Sequence, residues 1–264
     1  MASVRKPSRR PTTRRARAPL TLVIDIGGSG IKALVLDFRG EAVTERVRLD
    51  TPRPATPKAL LDAIRRLIEP LGPFDRVSVG FPGVVSNGIT RTAPNLDPSW
   101  QGINLARRIE RVLGRPARVV NDAGVQGFGT IRGQGLEMVL TLGTGLGCAL
   151  FYRGTYIPNL ELAHHPFRKG LTYEDYLGDA ALRRDGKRKW NGHLTRALVQ
   201  IQATWNPDRI YVGGGNARLV TGPLPANARI TSNIAGLLGG IALWQNPLSE
   251  GFVESLSGAT RKRK

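Results

Sequence analysis

Cysteine is almost missing: Cys148 is the one thiol in 264 residues. That excludes a disulfide framework and any zinc site built from several cysteines, and it fits a reducing, cytoplasmic setting. Acidic residues are scarce beside basic ones, 20 against 39. No apolar run approaches the roughly 18 residues of a membrane span, so no membrane partner is expected. The glycine-rich signature that ends in Gly-Lys-Ser/Thr and opens a helix is also missing.

What is present argues for an ordered chain. Hydrophobic residues make up 41%, too many for a disordered one. The length suffices for one large domain or two smaller ones. Thirty-two glycines fall in short clusters, which suggests loops that approach a ligand closely. The net charge of +19 is unevenly spread. The first 18 residues hold Arg5, Lys6, Arg9, Arg10, Arg14, Arg15 and Arg17 without an acid, and residues 261–264 are all basic. Residues 19–260 keep 28 basic against 20 acidic residues, a body of about +8. Such a body attracts polyanions: nucleic acid, acidic lipid or polyphosphate. Pro7, Pro11 and Pro19 oppose an amphipathic transit helix. Residues 1–18 therefore read as a disordered basic tail, and 259–264 as a second.

Hydrophobic periodicity organises the rest. Residues 20–26 and 31–36 are apolar runs joined by Gly27-Gly28-Ser29-Gly30, the pattern of a β-hairpin. Leu60, Leu61, Ile64, Leu67 and Ile68 have helical spacing over 57–71. Residues 76–82 and 117–121 read as strands, and 104–113 as a basic amphipathic helix with Arg107, Arg108 and Arg111. A second glycine hairpin follows, strands 137–143 and 148–152 around Thr144-Gly145-Leu146-Gly147. Residues 193–204 predict a helix, 209–212 a strand, 213–215 a third glycine loop and 232–244 an apolar helix. The two hairpins lie about 120 residues apart, so the chain reads as a duplicated α/β unit with a cleft between its halves. The halves are placed at 19–120 and 121–258.

DIGGSGIKA at 25–33, GFPGVV at 80–85, ND at 121–122, TLGTGLGCALF at 141–151, ELAHH at 161–165 and VGGG at 212–215 stand in a familiar order and spacing. Together they resemble the ROK sugar kinases of the actin/hexokinase-like (ribonuclease H-like) superfold. The segment TAPNLDPSWQGINL at 92–105 is similar to that of the polyphosphate-using glucokinases in that family. The resemblance covers roughly residues 20–244. It departs from typical ROK kinases in three places. No cysteine occurs over 165–178, so no structural zinc is expected; Ala163 replaces a glycine; and Gly124 stands where many relatives have a second aspartate.

The resemblance implies transfer of a phosphoryl group from inorganic polyphosphate or ATP to the 6-hydroxyl of glucose, with Mg²⁺ as cofactor and a homodimer as the assembly. It makes Asp122 the general base; an N-cap aspartate is the structural alternative. Asn95, Asn121, Asp122, Glu161, His164 and Glu174 become the sugar shell, chemically suited to hydroxyls that both donate and accept. His165 replaces His164 if the register slips by one, and Glu174 could instead sit on the exposed face of a helix starting near Thr172. Asp25 is assigned to Mg²⁺ and the transferred phosphate. Gly27, Gly28, Gly30, Thr144, Gly145, Gly213, Gly214 and Gly215 would present backbone N–H groups to phosphate, and Lys32 either touches phosphate or is an exposed strand lysine. Arg183, Arg184, Lys187, Arg188 and Lys189 form the densest charge in the body, either a solvated loop or a track for a long polyanion. Two other functions compete: an ATP-only ROK hexokinase for glucose or mannose, and a ROK-type nucleic-acid-binding regulator. Such regulators carry a helix-turn-helix ahead of the fold. Only 19 residues precede Leu20, so no specific nucleic-acid partner is expected.

Overall fold

A computed structural model describes residues 17–158, 160–231 and 235–245. The basic tails expected at 1–18 and 259–264 lie outside the described residues, apart from Arg17 and Ala18. In the first half, β1 (Thr21–Ile26), β2 (Gly30–Leu36) and β3 (Val47–Asp50) precede α1 (Pro57–Ile68) and β4 (Arg76–Phe81). A small hairpin, β5 (Val85–Ser86) and β6 (Ile89–Thr90), leads to α2 (Leu105–Leu113), β7 (Ala117–Asn121) and α3 (Asp122–Phe128). The second half begins with β8 (Leu136–Leu142), β9 (Leu146–Tyr152) and β10 (Thr155–Ile157), followed by a minor hairpin, β11 (Pro166–Arg168) and β12 (Leu171–Thr172). It continues through α4 (Tyr173–Leu177), α5 (Asp179–Trp205), β13 (Arg209–Gly213) and β14 (Ala228–Ile230) to α6 (Ala235–Gln245).

The duplication expected from the glycine hairpins is present. One five-stranded sheet runs β3-β2-β1-β4-β7 and the other β10-β9-β8-β13-β14. In each, the leading strand pairs antiparallel with its hairpin partner and parallel with the later strand. The alternation of strand side chains sends Leu22, Ile24 and Ile26 toward Leu60, Ile64 and Leu67 of α1, in one apolar core. The Thr56 hydroxyl accepts from the Ala59 N–H at 3.3 Å and Pro57 opens α1, so the start of that helix is set locally. Val23, Leu34 and Leu36 point the other way, toward Ile241 of α6.

That last contact departs from chain order. Helix α6 ends the described chain yet lies against the first sheet. The Ser78 hydroxyl donates to Gly240 O at 2.6 Å, and Trp244 Nε1 donates to Ser78 Oγ at 2.9 Å. The guanidinium groups of Arg76 and Arg118 sit 5.2 and 4.7 Å from the Trp244 ring. Gly239 permits the approach to α3: a Cβ there would fall 1.6 Å from Val125 O.

The segment 183–189 is helical, which corrects the solvated-loop alternative for it. Helix α5 starts at Asp179, not near 193, and only Gly186 (φ 73°, ψ 160°) interrupts it. Its charged residues share turns with Trp190, Leu194 and Leu198, all buried. Trp190 Nε1 donates to Leu177 O at 2.9 Å and pulls that stretch onto the core. Among the described residues, no helix is long and apolar enough to cross a membrane.

Candidate active site

Both sheets end at a shared cleft of about 640 Å³. Asp25, the loop 27–30 and Lys32 line it from the first sheet. Thr141 to Cys148 line it from the second, with Gly214 and Gly215 beside them. Asn95, Asn121, Asp122, Glu161, His164 and Glu174 complete the wall. The residues expected to form one site are thus brought together, with one correction. Gly213 is not part of the lining: it still belongs to β13, paired with Thr141, and its α-carbon faces Thr231 Oγ1.

Asp122 is the first residue of α3, and the Asn121 side chain is the N-cap, accepting from the Ala123 N–H at 2.9 Å. Asp122 Oδ1 also accepts from that N–H, at 2.8 Å. Burial pushes the Asp122 carboxyl up to about 7, the negative charge of Asp25 adds to the rise, and Glu161 adds less; the Ala123 N–H opposes them. Asn121 has both ends of its amide engaged, since its Nδ2 donates to Gly83 O at 3.1 Å. It joins the loop after β4 to the start of α3.

Asn95 is carried by an anchored segment. Trp100 is fully buried, packs tilted against Phe81 at 5.1 Å and donates its Nε1 to Ala55 O at 2.7 Å. Asp97 caps the turn that opens at Pro98, accepting from the Ser99 N–H at 2.9 Å. Asn95 is left facing Gly28. His164 lines the cleft with Nε2 3.8 Å from Glu161 Oε2, whereas His165 lies outside the lining. Burial raises the Glu161 carboxyl; nearby His164 opposes the rise and Glu174 adds to it.

Glu174 does sit on a helix, α4, capped by Thr172, but it faces inward. Its Oε2 accepts from the Leu146 N–H at 3.1 Å. A Cβ on Gly145 would meet that oxygen at 2.2 Å, so the second glycine loop and Glu174 are fitted to each other. The loop is held further by Asp179 N–H to Thr144 O at 3.2 Å and Asn216 Nδ2 to Gly143 O at 3.3 Å. Over 165–178, Phe167 packs tilted against Tyr173 at 4.6 Å and edge-on against Tyr176 at 5.3 Å. The Tyr156 ring lies beside Gly124, where a Cβ would come within 3.0 Å of it, so a second aspartate there requires the ring to give way.

Lys32 projects into the cleft. Asp25 and Lys32 are cross-strand partners and pair at 3.1 Å; Lys32 is in turn opposite Arg48 on β3. Arg48, Arg53 and Gln126 also line the cleft and have no place in the motifs. Arg48 could have been found only by counting register from Lys32 to β3. Nothing local in the sequence marks the others.

Two like sheets with the same strand order, meeting at a cleft of glycine loops and carboxylates, define the actin/hexokinase-like class. The chain belongs to the ROK family, which matches residues 21–158. It is 34% identical over 232 residues to a polyphosphate glucokinase of Mycobacterium tuberculosis, covering 82% of this chain and 88% of that one. It is 31% identical over 206 residues to a glucokinase of Streptomyces coelicolor, 69% of this chain and 63% of that one. Among solved structures, the inorganic polyphosphate/ATP-glucomannokinase of Arthrobacter sp. strain KM superposes with a TM-score of 0.77 at 31% identity, covering 87% of this chain and all of the other.

Proposed function

We propose that the protein transfers a phosphoryl group from inorganic polyphosphate or ATP to the 6-hydroxyl of glucose, giving glucose 6-phosphate. The observation that carries this reading is Asp122: a carboxyl raised to about 7, at a helix start, facing the cleft between two glycine loops. A base whose pKa lies near the working pH is both available and strong enough to accept a hydroxyl proton. Asn95, Glu161, His164 and Glu174 surround the space beside it and would hold the sugar. Asn121 positions Asp122 through its two backbone bonds and keeps a second amide N–H that would serve the sugar.

The loops 27–30 and 143–147, with Gly214 and Gly215, would present N–H groups to the donor phosphates. The donor set fits Mg²⁺. Asp25 keeps Oδ1 free while Lys32 holds Oδ2, and a hard cation that retains water needs only one or two carboxylates beside the phosphates. Bound with the donor, it would neutralise charge on the transferring group. A cytoplasmic homodimer is the assembly and setting proposed from the likeness to ROK kinases. The test is a coupled assay offering glucose with ATP or polyphosphate separately, with and without Mg²⁺. Transfer is expected to require Mg²⁺ and to yield glucose 6-phosphate. Absence of product with both donors would sink the reading.

A further inference from the structure

The cations of the cleft are one-sided. Lys32, Arg48 and Arg53 line it, all from β2, β3 and the loop that follows β3. Loops 143–147 and 214–215 contribute glycines, Thr144 and Leu146 but no cation. The Arg48 guanidinium lies against Gly30, where a Cβ would come within 3.0 Å of its Nε and Nη2. Arg53 Nη2 donates to Gly28 O at 3.1 Å. Two guanidinium groups therefore flank the first glycine loop on its outer side, where β3 is the sheet edge.

Neither charge is strongly neutralised. Arg53 has no carboxylate partner among the described residues. Arg48 pairs with Asp50 at 2.9 Å, but the Asp50 side chain is 82% exposed, and such pairs hold weakly in water. The single bond to Gly28 O fixes Arg53 while leaving most of its donor fork to a ligand. The other dense basic segment offers less to the cleft. Arg183 pairs with Asp179 and Arg184 with Asp185, each at 2.8 Å, and none of Arg183, Arg184, Lys187, Arg188 and Lys189 lines the cleft.

We infer that Arg48 and Arg53, continuing from Lys32, form a binding path for a linear polyphosphate beyond the reacting phosphoryl group, leaving the cleft along the β3 edge. This rests on the phosphoryl-transfer reading above. A chain polyanion carries charge on every phosphate, so it gains from cations outside the glycine loops. A nucleoside triphosphate carries charge only near the reacting end and gains little from them. Arginine forks match phosphate oxygens two at a time.

The test measures binding and turnover separately. Fluorescently labelled long-chain polyphosphate is titrated into the wild type, Arg48→Gln/Arg53→Gln, Arg48→Lys/Arg53→Lys, and a variant with residues 183, 184 and 187–189 changed to Gln, at several salt concentrations. The glutamine pair is expected to weaken binding about tenfold or more. Its salt dependence should flatten by about 0.7 in log–log slope for each phosphate that the variant no longer neutralises. The lysine pair should recover most of the affinity, and circular dichroism should report an unchanged fold. In turnover, the ratio of kcat/KM for polyphosphate to that for ATP should fall by a similar factor in the glutamine pair. Unchanged binding, an equal loss with both donors, or loss only in the 183–189 variant would overturn the path. A wild type that uses ATP but binds no polyphosphate overturns the path and leaves the kinase intact. A wild type that phosphorylates no sugar overturns the kinase reading, and the binding titration still decides the path.

Discussion

The two glycine hairpins share topology but not chemistry. The second loop is fastened from outside by Glu174, Asp179 and Asn216, each bonded to its backbone, and among the described residues no cation lines the cleft beside it. The first is held by the Thr51 hydroxyl on Gly27 O at 2.6 Å and by Arg53 on Gly28 O, and carries Lys32 and Arg48 alongside. One half thus offers aligned backbone dipoles on a pinned loop, and the other offers side-chain charge. Duplication supplied the frame twice, and the edges of each copy were then used for different work. Charge at the first loop acts over a distance and is screened by salt. Geometry at the second acts only on what fits between fixed atoms.

The largest expected loss of stability lies on the first side. Trp100→Ala removes the anchor of the segment that brings Asn95 to Gly28, and should cost about 3–5 kcal/mol in urea unfolding, with a raised KM for glucose. A loss under about 1 kcal/mol would mean that other contacts hold the segment.

Asp122, at the junction of the halves, should reveal itself through pH. Its folded pKa of about 7 exceeds the ordinary 3.8, so between those values the native state binds more protons than the unfolded chain. Its contribution is favourable to the protonated fold and is lost as pH rises through 7. Asp122→Asn does not titrate there, so relative to wild type it should gain stability from pH 4 upward, to a ceiling of about 4 kcal/mol at pH 8. Unfolding midpoints at pH 4 and pH 8 check this; an equal difference at both would contradict it.

The second loop should resist a small change poorly. Gly145→Ala drives a Cβ toward the Glu174 carboxylate, which must let go of the Leu146 N–H. The expected cost is about 1–3 kcal/mol, insensitive to salt, with a raised glucose KM. The first loop should tolerate more. Lys32→Gln removes a part-exposed ion pair worth about 1 kcal/mol or less, and its effect should shrink further in thermal melts at high salt. If Gly145→Ala proved salt-sensitive and Lys32→Gln did not, the division between geometry and charge would be wrong.

Much of this was legible in the chain itself, for physical reasons. Short apolar runs on either side of Gly27–Gly30 and Thr144–Gly147 mark hairpins because a strand and its turn are written within a few residues. Asn121-Asp122 reads as the end of a strand meeting the start of a helix for the same reason. The misses have a common cause: they depend on partners distant in sequence. Arg48 enters the cleft only because β3 pairs with β2, and Arg53 only because its loop folds back on Gly28. The early turns of α5 are dominated by charge, and the break at Gly186 interrupts the helical period between Ala181 and Trp190. The return of α6 to the first sheet rests on Ser78 and Trp244, which are 166 residues apart. Gly213 stands apart from the cleft lining because glycines in a run are alike in sequence, while the strand ends between the first and second.

The most direct test of the account is the pH profile of glucose phosphorylation in the wild type and in Asp122→Asn. In the wild type, kcat/KM should rise about tenfold per pH unit below about 7 and then level, as the Asp122 carboxyl loses its proton. The asparagine variant should lie about 10²–10⁴-fold lower and be flat across that range, while still binding glucose. A variant that keeps more than about a tenth of the wild-type rate, or a wild-type profile with no inflection near 7, would contradict the assignment of Asp122 as the base.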